Sequence, residues 1–170
     1  FADQVVGLKA EDYVELSSFN TSPFYTKTTL MVPDNWSYDQ VYNVPMNDLT
    51  AIVDNAVKNG YSVTWGTDVS DRGFSWKNGV AYNLPMEFET MTEEQKANIF
   101  AGPQPEGAAT QEERQKMFDN YLTTDDHGMQ ITGLYTDQNG KEYYKVKNSW
   151  GVKNDQEGYL YVTKNFLKLK

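Results

Sequence analysis

The sequence predicts an α+β fold: an antiparallel, barrel-like β lobe with two to three helices against it. Three observations predict it. Residues 127–163 hold three strand-like runs separated by turn residues. A single stretch around residues 45–59 repeats apolar residues at helical spacing. Aromatic residues make up 14% of the chain, twelve of them tyrosine, which suits a pleated and half-buried β surface. At 170 residues the length fits one domain with a core of its own. We take residues 1–170 as one lobe with a helical insertion around 91–122.

From the N-terminus, residues 1–12 are short, acidic and punctuated by Gly7. They read as the tail of an element whose partners lie upstream. Tyr13, Glu15 and Ser17 alternate with Val14, Leu16 and Ser18 as a strand would, and Ser22-Pro23 ends the run. Thr26 to Val32 is a second strand candidate, closed by the turn residues Pro33-Asp34-Asn35. Trp36, Tyr38 and Tyr42 are expected in the packing, with an aromatic shelf for substrate as the alternative. Leu49, Ile52, Val53, Ala56 and Val57 then form one apolar helical stripe. Pro45 suits the first turn of that helix and Asp48 its positive end, while Lys58 and Gly60 suit its stop.

Tyr61, Val63 and Trp65 give a strand facing the core, and Asp68 follows in the loop, as a turn residue or a substrate-cleft residue. Arg72-Gly73-Phe74 and Lys77-Asn78-Gly79 are loop signals, the second fitting a hairpin. Thr92-Glu93-Glu94-Gln95 is a capping box for a short helix to Phe100. The Pro/Gly run at 101–107 cannot continue a helix. Thr110-Gln111-Glu112-Glu113 opens another helix, with Met117, Phe118, Tyr121 and Leu122 on its buried side.

The chemistry concentrates at residues 127–151. His127 is the only histidine in the chain. Met129, Ile131, Gly133 and Tyr135 share its strand parity, while Gln130 and Thr132 point the other way. The next strand, Glu142 to Lys147, ends at Asn148, and Thr136-Asp137-Gln138-Asn139-Gly140 between them is turn chemistry. With the loop centred on Asp137-Gln138, His127 and Asn148 face each other roughly 5 Å apart at Cβ. A two-residue Asn139-Gly140 hairpin would leave them about 13 Å apart. A working pair therefore needs a longer or bulged loop. An amide oxygen accepting from one imidazole nitrogen fixes the tautomer and leaves the other nitrogen to take a nucleophile's proton. Gly158 to Thr163 forms the third strand, after the turn at 154–158.

Other readings of these residues are weaker. Ser149 would project to the other strand face from Asn148, and no nucleophile elbow surrounds it. Asp125, Asp126 and His127 are chain neighbours that project to alternate faces, which suits no metal. Asp137, Asn139 and Glu142 lack the ligand set of a calcium loop. A net charge of −9 argues against nucleic acid and anionic membrane surfaces, and no apolar run is long enough to span a bilayer.

Asp126-His127-Gly128-Met129-Gln130-Ile131-Thr132-Gly133 and Val146-Lys147-Asn148-Ser149-Trp150-Gly151 resemble the histidine and asparagine blocks of papain-like cysteine peptidases. Asn43 to Leu49 and Asn59 to Val69 are similar to the bleomycin hydrolase and aminopeptidase C branch. The resemblance covers nearly the whole chain. It implies the β-barrel lobe that supplies the base side of a cleft, with His127 as general base, Asn148 as its orienter and Trp150 shielding their bond. Asp126 either supports the basicity of His127 or caps the loop.

The chain contains no cysteine, and the family's nucleophile and oxyanion-hole glutamine belong to an N-terminal half. The resemblance therefore implies a C-terminal part whose missing partner is the cysteine-bearing half. The substrate it implies is a peptide, with no cofactor and no metal. An apolar face left by that half would favour self-association, a possible homo-oligomer. The branch's C-terminal arm shapes exopeptidase action, so exo- or endopeptidase action stays open, as do cytoplasmic or exported location. The alternative reading is a non-catalytic pseudo-peptidase, a binding or assembly module that keeps the ribbon as scaffold.

Overall fold

A computed structural model describes residues 2–33 and 35–170, so Phe1 and the Asp34 of the expected Pro33-Asp34-Asn35 turn lie outside the described residues. β1 (Leu16–Ser17), β2 (Thr26–Thr29) and β3 (Gln40–Asn43) form a small sheet ordered β1-β3-β2. After α1 (Met46–Lys58), β4 (Val63–Thr67), β5 (Phe74–Ser75) and β6 (Val80–Ala81) enter the main sheet. The chain then makes α2 (Glu93–Ala97) and α3 (Gln111–Asp119). It returns as β7 (His127–Thr136), β8 (Glu142–Lys147) and β9 (Tyr159–Thr163), and closes with α4 (Lys164–Leu169). The main sheet is ordered β4-β7-β8-β9-β6-β5. The fold is α+β as expected, with four α-helices among the described residues where two or three were expected. Its pairings are antiparallel except β1–β3 and β6–β9, which are parallel.

The core lies between the main sheet, α1 and α4. Ile131, Tyr144, Val146, Leu160, Val162 and Phe166 have no exposed surface. The N-terminal strands are shorter than their alternation suggests, because a side chain replaces the ladder. Buried Asn43 accepts from the Ser17 hydroxyl and the Phe19 N–H and donates to the carbonyls of Phe19 and Ser22. α1 buries Met46, Thr50 and Val53, a stripe rotated from the expected one, with Ile52 on the solvent side. α2 has the expected capping box but stops at Ala97 instead of Phe100.

Three aromatic expectations are corrected. Trp36 and Tyr38 stand 81% and 66% exposed. Asn35 ties its loop together through Leu30 and Asp39, and the rings are left outside. Tyr121 is 82% exposed and Leu122 is also outside, because α3 ends at Asp119 and the chain reverses through a positive φ at Tyr121. Phe118 is the aromatic of α3 that packs, with its ring centroid 4.2 Å from that of Phe19.

The β7–β8 hairpin decides the site. Thr136 pairs with Glu142, so the loop is the five residues from Asp137 to Lys141 and centres on Asn139. Extended without interruption, that register would set Asn148 opposite Gln130, on the wrong face from His127. A bulge between Ile131 and Gly133 shifts the pairing to Ile131↔Val146 and Gln130↔Lys147. His127 and Asn148 then share a face as diagonal neighbours, not the directly opposed pair expected. The bulge also moves Tyr135 outward and Leu134 toward the core. Thr132, the extra residue, donates its hydroxyl to the Lys145 carbonyl. Pairing on both sides of Thr132 closes without it. Deleting Thr132 is therefore expected to preserve the His127–Asn148 bond. The ring N–H resonance of the single histidine reports this directly, and loss of its hydrogen-bonded shift would contradict the register.

A polar network joins α1 to this sheet. The buried Tyr144 hydroxyl donates to Asp54 Oδ1 at 2.7 Å, and Lys164 Nζ donates to Asp54 Oδ2 at 2.7 Å and to Glu142 at 2.8 Å. Burial acts to raise the Asp54 pKa, but the bonds from Lys164 and Tyr144 and the lysine charges outweigh it, and the carboxyl ends below its ordinary value. Burial acts to lower Lys164, and its two carboxylate partners leave it raised. A carboxyl depressed in the fold stabilises above its unfolded pKa, about 4, and that contribution is lost on further acidification. The raised lysine contributes below about pH 10 and its share fades in alkali. Asp54→Asn is expected to cost about 1–2 kcal/mol at pH 7 and less as the pH falls below 4, measured by urea unfolding across pH.

Candidate active site

His127 opens β7, directly across from Thr67 at the end of β4. Asn148 follows the last residue of β8, with its backbone N–H donated to the Gly158 carbonyl at 3.1 Å. The loop between them folds back tightly. Gly158 has φ +89°, and a Cβ there would stand 2.6 Å from the Gly151 carbonyl oxygen, so only glycine fits. Asn154 closes the same turn by bonding Tyr159 O and Gly158 N.

His127 Nε2 and Asn148 Oδ1 are 2.8 Å apart. The Ser149 backbone N–H also donates to Asn148 Oδ1, at 2.7 Å. A backbone N–H can only donate, so the atom it meets is the amide oxygen, and the amide cannot be turned the other way. Nε2 must then carry the proton toward Asn148, and Nδ1 holds the free lone pair. Asn148 is only 2% exposed, which strengthens the bond electrostatically.

Trp150 packs over the imidazole with ring centroids 4.7 Å apart. Phe74 and Trp76 meet Trp150 edge-on at 6.2 and 5.7 Å. Trp150 remains 45% exposed, so it covers one side of the histidine while its own outer face meets solvent. Phe74 and Trp76 were not legible as site residues, because the β5–β6 hairpin reaches Trp150 only through the parallel β6–β9 pairing.

The two aspartates serve the loops. Asp68 is buried, with Oδ1 accepting from the Ser70 N–H and hydroxyl and Oδ2 from the Thr124 N–H. Asp126 accepts from the Val69 N–H at 2.9 Å. Together they lash segment 68–70 to segment 124–126 and set the entry of β7. Neither carboxylate is bonded to the imidazole. Asp137 is likewise a turn residue, accepting from the N–H groups of Asn139 and Lys141. Among the described residues, no cluster of three metal-ligating side chains forms.

Residues 1–169 match the Peptidase C1-like family. The chain belongs to that family. Over 166 residues it is 28% identical to "Aminopeptidase C" of Streptococcus thermophilus, covering 94% of this chain and 34% of that protein. Over 40 residues it is 48% identical to "Cysteine proteinase 3" of Dictyostelium discoideum, covering 24% of this chain and 12% of that protein. The crystal structure of PepW from Lactobacillus rhamnosis HN001 overlays 99% of this chain and 36% of its own, with a TM-score of 0.70. At 19% identity that likeness shows the shared fold. This C1-family chain thus spans about a third of the length of aminopeptidase C and PepW. Its relation is to papain-like cysteine proteases, a hydrolase class.

Proposed function

We propose that this chain is the base-bearing lobe of a papain-like cysteine peptidase whose nucleophilic thiol lies outside these 170 residues. The observation that carries the proposal is the His127–Asn148 bond, with the amide orientation fixed by the Ser149 N–H. It leaves Nδ1 as a directed base. In the proposed reaction Nδ1 takes the thiol proton and the thiolate attacks the peptide carbonyl carbon. The imidazolium then gives its proton to the leaving amine as the C–N bond breaks. The acyl group stays on sulfur as a thioester. Water, deprotonated by Nδ1, attacks the thioester, the acid leaves, and the thiol recovers its proton. Asn148 holds the ring through both proton transfers, and Trp150 screens the bond from water.

Asp68 and Asp126 act at a distance in this proposal, by fixing the strand entry. A peptide is the substrate and the cysteine-bearing half is the partner; no metal or cofactor takes part. The chain alone is expected to release no fluorophore from peptidyl substrates, while the chain expressed with the remainder of its open reading frame does. Turnover by the purified 170-residue chain would overturn the assignment of the nucleophile. An alanine or glycine at the nucleophile position of the remainder, with no turnover, would support the non-catalytic module instead.

A further inference from the structure

Arg114 takes no part in the proposed hydrolysis. Its guanidinium lies 4.9 Å over the Phe19 ring. Nε donates to the Ser18 carbonyl at 2.9 Å and Nη1 to the Lys168 carbonyl at 2.8 Å. Among the described residues, no carboxylate pairs with it. Burial pushes its pKa down to about 10, so it remains a cation at neutral pH. A half-buried charge answered by carbonyl dipoles and a ring face, with no carboxylate beside it, keeps part of its field.

The remaining nitrogen, Nη2, makes no hydrogen bond among the described residues, and Arg114 lines a cavity of about 210 Å³. Leu16, Phe19, Phe118 and Leu169 give the lining an apolar share. Two other charges border the space. Lys170 Nζ is held by Asp71 at 2.6 Å and Thr123 at 3.3 Å, and Asp125 is itself engaged. Arg114 keeps more donors unused than Lys170 does. A further wall, Gly66 and Thr124, lies within three residues of Thr67 and His127, which face each other across β4 and β7.

We propose that this cavity takes the side chain of an acidic residue, glutamate for preference, from a peptide lying along the His127 end of the sheet. The methylene stem lies against the apolar share of the lining and the carboxylate meets the Arg114 guanidinium. The proposal rests on the peptidase reading for the ligand being a peptide, and on the cavity for its charge.

The test titrates the 170-residue chain with two blocked tripeptides that differ only by Glu or Gln at the centre, followed by calorimetry at neutral pH and low salt. The glutamate peptide is expected to bind at least about tenfold more tightly. Arg114→Gln is expected to erase that preference and Arg114→Lys to keep part of it, with circular dichroism confirming that each folds. Equal affinity for the two peptides, binding of neither, or a preference that survives in Arg114→Gln overturns the inference. If Arg114→Gln does not fold, the two peptides on the unaltered chain decide alone. Peptide hydrolysis by the full protein without a glutamate preference sinks this inference only. A glutamate preference with no hydrolysis sinks the peptidase reading only.

Discussion

His127→Ala in the full-length protein is expected to lower kcat/KM for peptide hydrolysis by about a thousandfold or more, because in the proposed mechanism one ring both takes and returns the reacting proton. The loss should fall mainly on kcat, since the imidazole meets the reacting atoms and contributes little to ground-state binding. Asn148→Ala should do less. It removes one hydrogen bond, strengthened when the ring is charged and worth about 1.5–3 kcal/mol, or roughly 10- to 150-fold in rate. The ordering is the informative part. If the asparagine variant lost as much as the histidine variant, orientation and not proton transfer would dominate. If His127→Ala kept more than a tenth of the activity, the base would lie elsewhere. Steady-state kinetics with a fluorogenic peptide on both variants distinguishes these outcomes.

Phe166→Ala is expected to cost about 3–5 kcal/mol, a large part of the roughly 5–15 kcal/mol available to a domain. Phe166 is fully buried on α4, meets Trp65 edge-on with ring centroids 6.3 Å apart, and its N–H is capped by the Thr163 hydroxyl. Trp65 lies on β4, whose end faces His127. The loss should therefore reach the site as well as the core. Tyr121→Ala, at an exposed position of the same ring class, should change stability by no more than about 0.5 kcal/mol. Urea unfolding of the two variants measures both values. A small effect at Phe166 would mean that α4 is not part of the cooperative core.

Local chemistry was legible wherever a single segment decides its own conformation. The Thr92 capping box, the Thr110 cap, the existence of α1 (though not which face it buries) and the hairpin at Lys77-Asn78-Gly79 all act within a few residues. Trp36, Tyr38 and Tyr121 misled because aromatic type is a prior for burial, and the loop that carries the ring settles the matter. α4 went unread because six residues give too little periodicity. The bulge did leave a trace, since Ile131 and Leu134 are three residues apart where a regular strand spaces its buried residues by two.

The sequence by itself determined the strand ribbon, its one histidine, the asparagine at its end and the family those blocks belong to. Each follows from residue type and spacing along the chain. The tertiary structure alone decided that His127 and Asn148 share a face, that Ser149 fixes the amide, that Phe74 and Trp76 reach Trp150, and that Arg114 shares a cavity with Gly66 and Thr124. Strand parity reverses with every single-residue shift, so a bulge and three long-range pairings settle what no local pattern can encode.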